Sequence, residues 1–399
     1  MDRLFPFGFP GPTALYLVLY VVTLIIHVLF MNYVLAGSAV LAVAGLWRWQ
    51  THGLTRPSPT RELLRDWLPF FLSAAITAGI APLLFIQILY RHAYYTANLL
   101  LFHRWMAILP VLILGFYLLY LLKSRAIAAW RPWQRALTGA LAMLCFWFTA
   151  YSWTENHMLS LHPALWASFY AGGHTFYWNP LMVPRLSIWV FGAFPTMSLL
   201  LAWQLRYKTR EHAGQEAAGQ LPNKPEAFGS GVRLPGSPFA AEHIAPATRQ
   251  LALIALGGMA IAGAGALWYY SLCDELTQAA LTGPLAAAWL IAALVGGLIQ
   301  SAGWLWALKT GRLSAGWLAA QTVGLIVTLL GMTVGREAIR MTALPIASLY
   351  EEHAEAAKVG GLPVFLAFFV INAGLIVWAI RLARRKSKDG GGAKREGAA

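Results

Sequence analysis

Charged residues are scarce. Asp and Glu number 16 against 30 Lys and Arg, and the two signs together make up 12% of the 399 residues. Soluble globular chains carry about 25%, so a water-soluble enzyme of two or three domains is excluded. Cysteine occurs only at Cys145 and Cys273. With no paired spacing, a disulfide framework, a zinc site and covalent haem attachment through C-x-x-C-H are excluded as well. Any cofactor is therefore held non-covalently. Met1 to Pro12 has no A-x-A-like cleavage site ahead of the first apolar run, and it reads as mature sequence. No internal repeat is evident.

What the chain does have is long apolar sequence: 58% of residues are hydrophobic, and the mean hydropathy is +0.57. A helix that spans a bilayer needs about 20 mainly apolar residues, because every backbone polar group in hydrocarbon must be satisfied within the helix. Nine stretches qualify, near 13–47, 67–90, 98–122, 136–156, 181–205, 250–272, 283–308, 314–335 and 361–380. The expected fold is an all-α polytopic membrane helix bundle of about nine transmembrane helices.

The net charge of +14 resolves once the basic residues are placed. One set of alternate loops holds 23 of the 30: Arg48 to Arg65, Lys123 to Arg135, Arg206 to Arg249, Lys309 with Arg312, and the tail from Arg381. The other set holds Arg3, Arg91, Arg336, Arg340 and Lys358, and Arg104 and Arg185 fall within spans. Positive charge is retained on the cytoplasmic side, which predicts an external N-terminus and a cytoplasmic C-terminus. Basic loops facing an anionic leaflet account for the charge, so the partner is the lipid bilayer and no nucleic-acid module is needed. The expected organisation is a five-helix half over 1–206, a cytoplasmic linker over 207–247 rich in Gly, Pro, Ala and Glu, a four-helix half over 248–385 and a disordered tail over 386–399. The external loop from His157 to Pro180 carries Trp166, Phe169, Tyr170, Phe176, Tyr177 and Trp178. It is read either as a surface for the membrane or a partner, or as an interfacial aromatic belt.

An ionisable group inside a span costs at least about 2.5–3.5 kcal/mol on insertion scales, which makes each one a functional-site hypothesis. Height can be counted from the basic residue at the cytoplasmic end of each span, at about 1.5 Å per residue. His27 lies 21 residues from Arg48 and His103 lies 20 from Lys123, so both are expected about 30 Å above the inner face. Glu155, His157 and Arg185 fall within about one turn of that level. Two neutral imidazoles at one height on different helices can ligate a haem iron axially, with arginines neutralising the propionates. Alternatively, each histidine simply hydrogen-bonds a neighbour. The cofactor-binding candidates are His27, His103, Arg104, Arg185, Arg336 and Arg340, with His27 and His103 as the metal ligands. Arg336 and Arg340, in the run from Gly335, could instead bind a quinone carbonyl or a lipid phosphate, or simply snorkel.

This layout resembles subunit I of the cytochrome bd quinol oxidases over most of the chain, remotely and without a specific motif. The residues that carry the likeness are His27 in Ile26-His27-Val28-Leu29-Phe30 and the Gly335-Arg336 pair closing the eighth crossing. The family implies nine helices, an external N-terminus and a haem-ligand histidine in the first helix. This chain departs from it in several places. His103 stands where the family has the first carboxylate of its third helix, and no Asp or Glu follows between Arg104 and Leu122. Ser187 stands in place of the low-spin haem's histidine, the seventh crossing has no Met, and no acidic residue precedes Arg336 in the eighth. The external quinol loop shrinks to about 273–283. Two of the family's three haem sites are thus missing.

The expected function is a bd subunit I-like redox subunit. It binds one b-type haem and moves electrons between the quinone pool and an extracytoplasmic c-type cytochrome, within a respiratory complex of the bacterial cytoplasmic membrane. As an enzyme it would be a quinol:cytochrome oxidoreductase subunit. Paired axial histidines leave iron no open position, so oxygen reduction is not expected. The alternative is a cofactor-free anchor that docks a partner. A transporter is disfavoured by the absence of inverted repeats.

Overall fold

The computed structural model describes residues 9–50, 58–124, 126–217, 238–239, 241–358, 361, 363–372, 374–375, 378 and 381. Helices dominate, and no strand occurs among the described residues. In chain order they are α1 (Gly11–Gln50), α2 (Pro59–Leu89), α3 (Arg91–Leu100), α4 (Phe102–Lys123), α5 (Pro132–Ser160), α6 (Trp166–Ala171), α7 (Met182–Ala217), α8 (Ala241–Leu272), α9 (Glu275–Thr282), α10 (Ala287–Thr310), α11 (Ala315–Ala343) and α12 (Ile346–Lys358).

Among the described residues, eight helices are long and apolar enough to cross a membrane: α1, α2, α4, α5, α7, α8, α10 and α11. The protein is a multi-pass membrane helix bundle. The ninth expected stretch, 361–380, lies partly outside the described residues. Its described part includes a helix over Pro363–Asn372, bent by 70° from Ser348–Lys358, and the pair together is apolar enough for a broken span or a re-entrant loop. The linker expected over 207–247 is entered from both sides, since α7 runs on to Ala217 and α8 opens at Ala241. The tail over 386–399 lies outside the described residues.

Two compact units emerge. The smaller combines residues 1–15 with 347–399. Within it Thr13 Oγ1 and His353 Nδ1 are hydrogen-bonded at 2.8 Å, and both residues are buried. His353 packs into this unit from helix α12. The larger unit runs from Tyr16 to Ile346, across the linker.

Neighbouring helices of the larger unit are antiparallel and packed through small residues, as expected where lipid removes the hydrophobic drive and close backbone approach must supply the attraction. Along α1 and α2, Gly37 faces Leu64 and Leu68, while His27 faces Ala75 and Gly79. Along α10 and α11, Gly296 meets the backbone at Gly324, and Gly331 meets the carbonyl of Trp289. Gly258 of α8 lies against Phe191 and Phe194 of α7. Interhelical hydrogen bonds pin these contacts. Asn32 Nδ2 donates to Thr196 Oγ1 at 3.1 Å, the Tyr33 hydroxyl to Gln204 Oε1 at 2.9 Å, and Gln300 Nε2 to Thr328 Oγ1 at 3.1 Å. Tyr33, Leu64, Leu68, Leu201, Ala252 and Trp304 lie in the core they surround.

A Cβ on Gly331 would collide with backbone, which cannot move aside as a flexible side chain can. Gly331→Val is therefore expected to lower stability by about 1–3 kcal/mol, the usual cost of overpacking. Thermal unfolding in detergent checks this, with Gly297→Val as the neutral control, because nothing lies within 4 Å of a Cβ at Gly297.

Antiparallel succession puts α3, α6, α9 and the end of α11 at one end of the bundle, the end whose connections carry few basic residues. The polar side chains discussed next gather there.

Candidate functional site

His27 is not one of them. Its Nδ1 lies 2.9 Å from the carbonyl oxygen of Ala75, midway along α2. A carbonyl only accepts, so Nδ1 carries the proton and donates, and Nε2 is left with the lone pair. Nε2 makes no hydrogen bond among the described residues, and the ring is half-buried. Gly79 gives it room: a Cβ there would stand 3.0 Å from ring atoms Cε1 and Nδ1.

His103 sits elsewhere. It is exposed on the first turn of α4, edge-on to the ring of Phe102. At the other end of α4, Lys123 Nζ donates to the carbonyl of Asp66 at 2.8 Å. Measured against α5, the two histidines come to similar heights: His103 adjoins Arg104, which pairs with Glu155, and α1 packs on α5 with Gly45 against Ala136 and Ala42 against Gly139, which brings His27 about level with Thr154. Among the described residues no contact joins the two rings, and that of His27 is turned to Ala75 and Gly79 of α2.

The other expected residues do gather at the low-charge end, in two buried networks. In the first, Arg104 Nε of α4 is 2.7 Å from Glu155 Oε2 of α5, whose carboxylate is fully buried. The guanidinium also lies over the rings of Tyr151 and Phe176, 5.4 and 5.2 Å from their centroids. Glu155 Oε1 accepts from the backbone N–H of Tyr177 at 2.9 Å. This bond ties down the aromatic loop. Phe169 and Tyr177 are buried against Leu101, Met158 and Met182, whereas Tyr170, Phe176 and Trp178 remain exposed.

The second network joins five helices and the α2–α3 corner. Glu337 of α11 is buried and accepts from Arg336 Nε at 3.1 Å, from Arg340 Nη1 at 3.0 Å and from the Tyr90 hydroxyl at 2.8 Å. Arg336 Nη2 donates to the Tyr20 hydroxyl of α1 at 2.7 Å. Arg340 lies with its guanidinium 4.5 Å from the centroid of Tyr90 and donates through Nη2 to His157 Nδ1 of α5 at 2.6 Å. Arg185 of α7 donates to the Tyr269 hydroxyl of α8 at 3.3 Å and, among the described residues, pairs with no carboxylate. It lies close enough to His157, Arg336 and Arg340 to act on them electrostatically. No family model matches the chain, nor does any curated protein. The argument for function accordingly rests on these residues.

Among the described residues no three His, Cys, Asp or Glu side chains group as a metal site. Glu337 was visible in sequence only as part of the run from Gly335. Its i, i+3 spacing to Arg340 puts both on one face of α11 and is the signal for their pairing. Tyr20, Tyr90 and Tyr269 carry no such signal, because a tyrosine near a helix end reads equally well as belt.

Proposed function

We propose that this chain is the membrane-embedded redox subunit of a respiratory complex, binding one b-type haem through His27 and passing electrons between the quinone pool and an extracytoplasmic c-type cytochrome. One observation carries the reading: the Ala75 carbonyl holds the His27 imidazole in the tautomer whose Nε2 is free to bind iron. Metal-ligating histidines are oriented in this way by a carbonyl or carboxylate on the second nitrogen. Haem bound there would supply one-electron chemistry. Of the four arginines expected to face propionates, Arg336 is the one tied to α1, through Tyr20, two turns from His27. Arg104 is engaged by Glu155, and Arg340 by Glu337 and His157.

With His27 as the one ligand that this reading names, the case against oxygen reduction does not rest on a closed coordination sphere. It rests on the third crossing, which has no carboxylate to carry protons. The basic loops support an external N-terminus, a cytoplasmic C-terminus and residence in a bacterial cytoplasmic membrane. The exposed Tyr170, Phe176 and Trp178 offer an apolar surface on the same end as the polar networks.

A second reading, a cofactor-free anchor for the same kind of complex, is favoured by how fully Glu337 and Arg340 are engaged with each other and with Arg336, Tyr90 and His157. Pigment separates the two readings. A b-type reduced-minus-oxidised spectrum in the purified protein supports the redox subunit, and a folded, colourless protein that still copurifies with partners supports the anchor.

A further inference from the structure

The second polar network is short of negative charge and has one donor too many. Arg185, Arg336 and Arg340 contribute three positive charges, and among the described residues Glu337 is the only carboxylate bonded to them. Cys273, next to Tyr269, adds none. Burial first, and then the charge of Asp274, push its thiol above the ordinary range, so it stays protonated. Asp274 itself is turned to its own helix, capping α9 through the N–H of Thr277 at 2.8 Å.

His157 sharpens the deficit. A guanidinium has no acceptor, so the 2.6 Å contact from Arg340 Nη2 makes His157 Nδ1 the accepting, unprotonated nitrogen. The proton of the neutral ring then sits on Nε2. That N–H is fully buried and has no acceptor among the described residues. Leaving such a donor unsatisfied is costly, and the half-buried Arg185, which pairs with no carboxylate among the described residues, adds an uncompensated charge beside it. One guest removes both costs: a group with an acceptor oxygen and a negative charge, placed between α5, α7 and α11.

We propose that His157, Arg185 and Arg340 form a binding site for an oxyanion, a carboxylate or phosphate group, that does not belong to the redox cofactor. His157 Nε2–H donates to it, Arg185 supplies the charge that no protein carboxylate offsets, and Arg340 holds the imidazole in the donating tautomer. This site stands independently of the haem reading, because the deficit remains even when Arg336 is assigned to a propionate. The oxyanion has two possible sources, a small solute on the outer side or the headgroup of an anionic lipid.

The experiment uses the full chain purified in neutral detergent. Thermal unfolding is measured against acetate and inorganic phosphate at constant ionic strength, and retained lipid is read by native mass spectrometry. A saturable rise in midpoint with acetate or phosphate identifies a solute anion, and retained phosphatidylglycerol or cardiolipin identifies a headgroup. In either case Arg185→Gln should weaken the effect at least tenfold, and Arg185→Lys should restore most of it. His157→Leu removes the donor and should weaken binding several-fold. His157→Gln keeps both an acceptor for Arg340 and a donor, and should retain binding. The proposal is overturned if neither anion nor lipid is bound, if Arg185→Gln binds as the wild type does, or if Arg185→Gln lowers haem content in step with anion binding, which would make the oxyanion the cofactor's own carboxylate.

Discussion

Replacing Glu337 by Met is expected to destabilise the protein by about 3–5 kcal/mol, enough to remove a large part of the stability of an ordinary domain. The carboxylate accepts from Arg336, Arg340 and Tyr90. Its loss leaves two guanidinium groups without a counter-charge, one of them buried, and a buried hydroxyl without an acceptor. A buried pair contributes little compared with well-packed apolar residues, but a half-broken one is costly. The sign of the test therefore lies in the double mutant. Glu337→Met with Arg340→Met should recover part of the stability lost in Glu337→Met alone, because the two sites share one interaction and cannot be additive. Chemical or thermal unfolding of the three variants in detergent checks it. Equal stability of wild type and Glu337→Met would mean that the network is not formed.

His27→Ala should abolish b-type absorbance while leaving the protein folded. The imidazole touches α2 through one hydrogen bond and the Gly79 face, so its removal opens a small cavity and releases one carbonyl within a helix. Gly79→Val is the more informative variant. It leaves His27 in the sequence, but a branched side chain where a single Cβ already stands 3.0 Å from the ring must displace the imidazole. Most of the pigment should be lost there as well. His103→Ala should change nothing, because that ring is exposed on α4. Absorbance spectra of dithionite-reduced samples at matched protein concentration decide among the three. Pigment lost in His103→Ala and kept in His27→Ala would reverse the assignment.

Composition and apolar run length made the bundle legible, since both follow from the bilayer as solvent and neither depends on tertiary detail. The eight long helices fall on the stretches read from hydropathy. Heights were legible from the basic helix ends. α4 ends at Lys123, which reaches the carbonyl of Asp66 on α2, and α1 nears Arg48 where Gly45 packs against Ala136 in the first turns of α5. The polar networks were legible as a zone and not as pairs. Glu155, His157 and Arg185 come to the end of the bundle where counting placed them, but the partner of each was settled by helix rotation, which one sequence does not display. The Glu155 bond to the Tyr177 backbone could not be anticipated, because no side-chain pattern announces a main-chain donor in a loop.

The haem content of the wild-type protein tests the central claim most directly. Pyridine haemochrome assay of the protein, purified from cells supplied with haem precursor, should give about one b-type haem per chain by the single-ligand reading of His27. A folded preparation with no haem would contradict the redox account and leave the anchor.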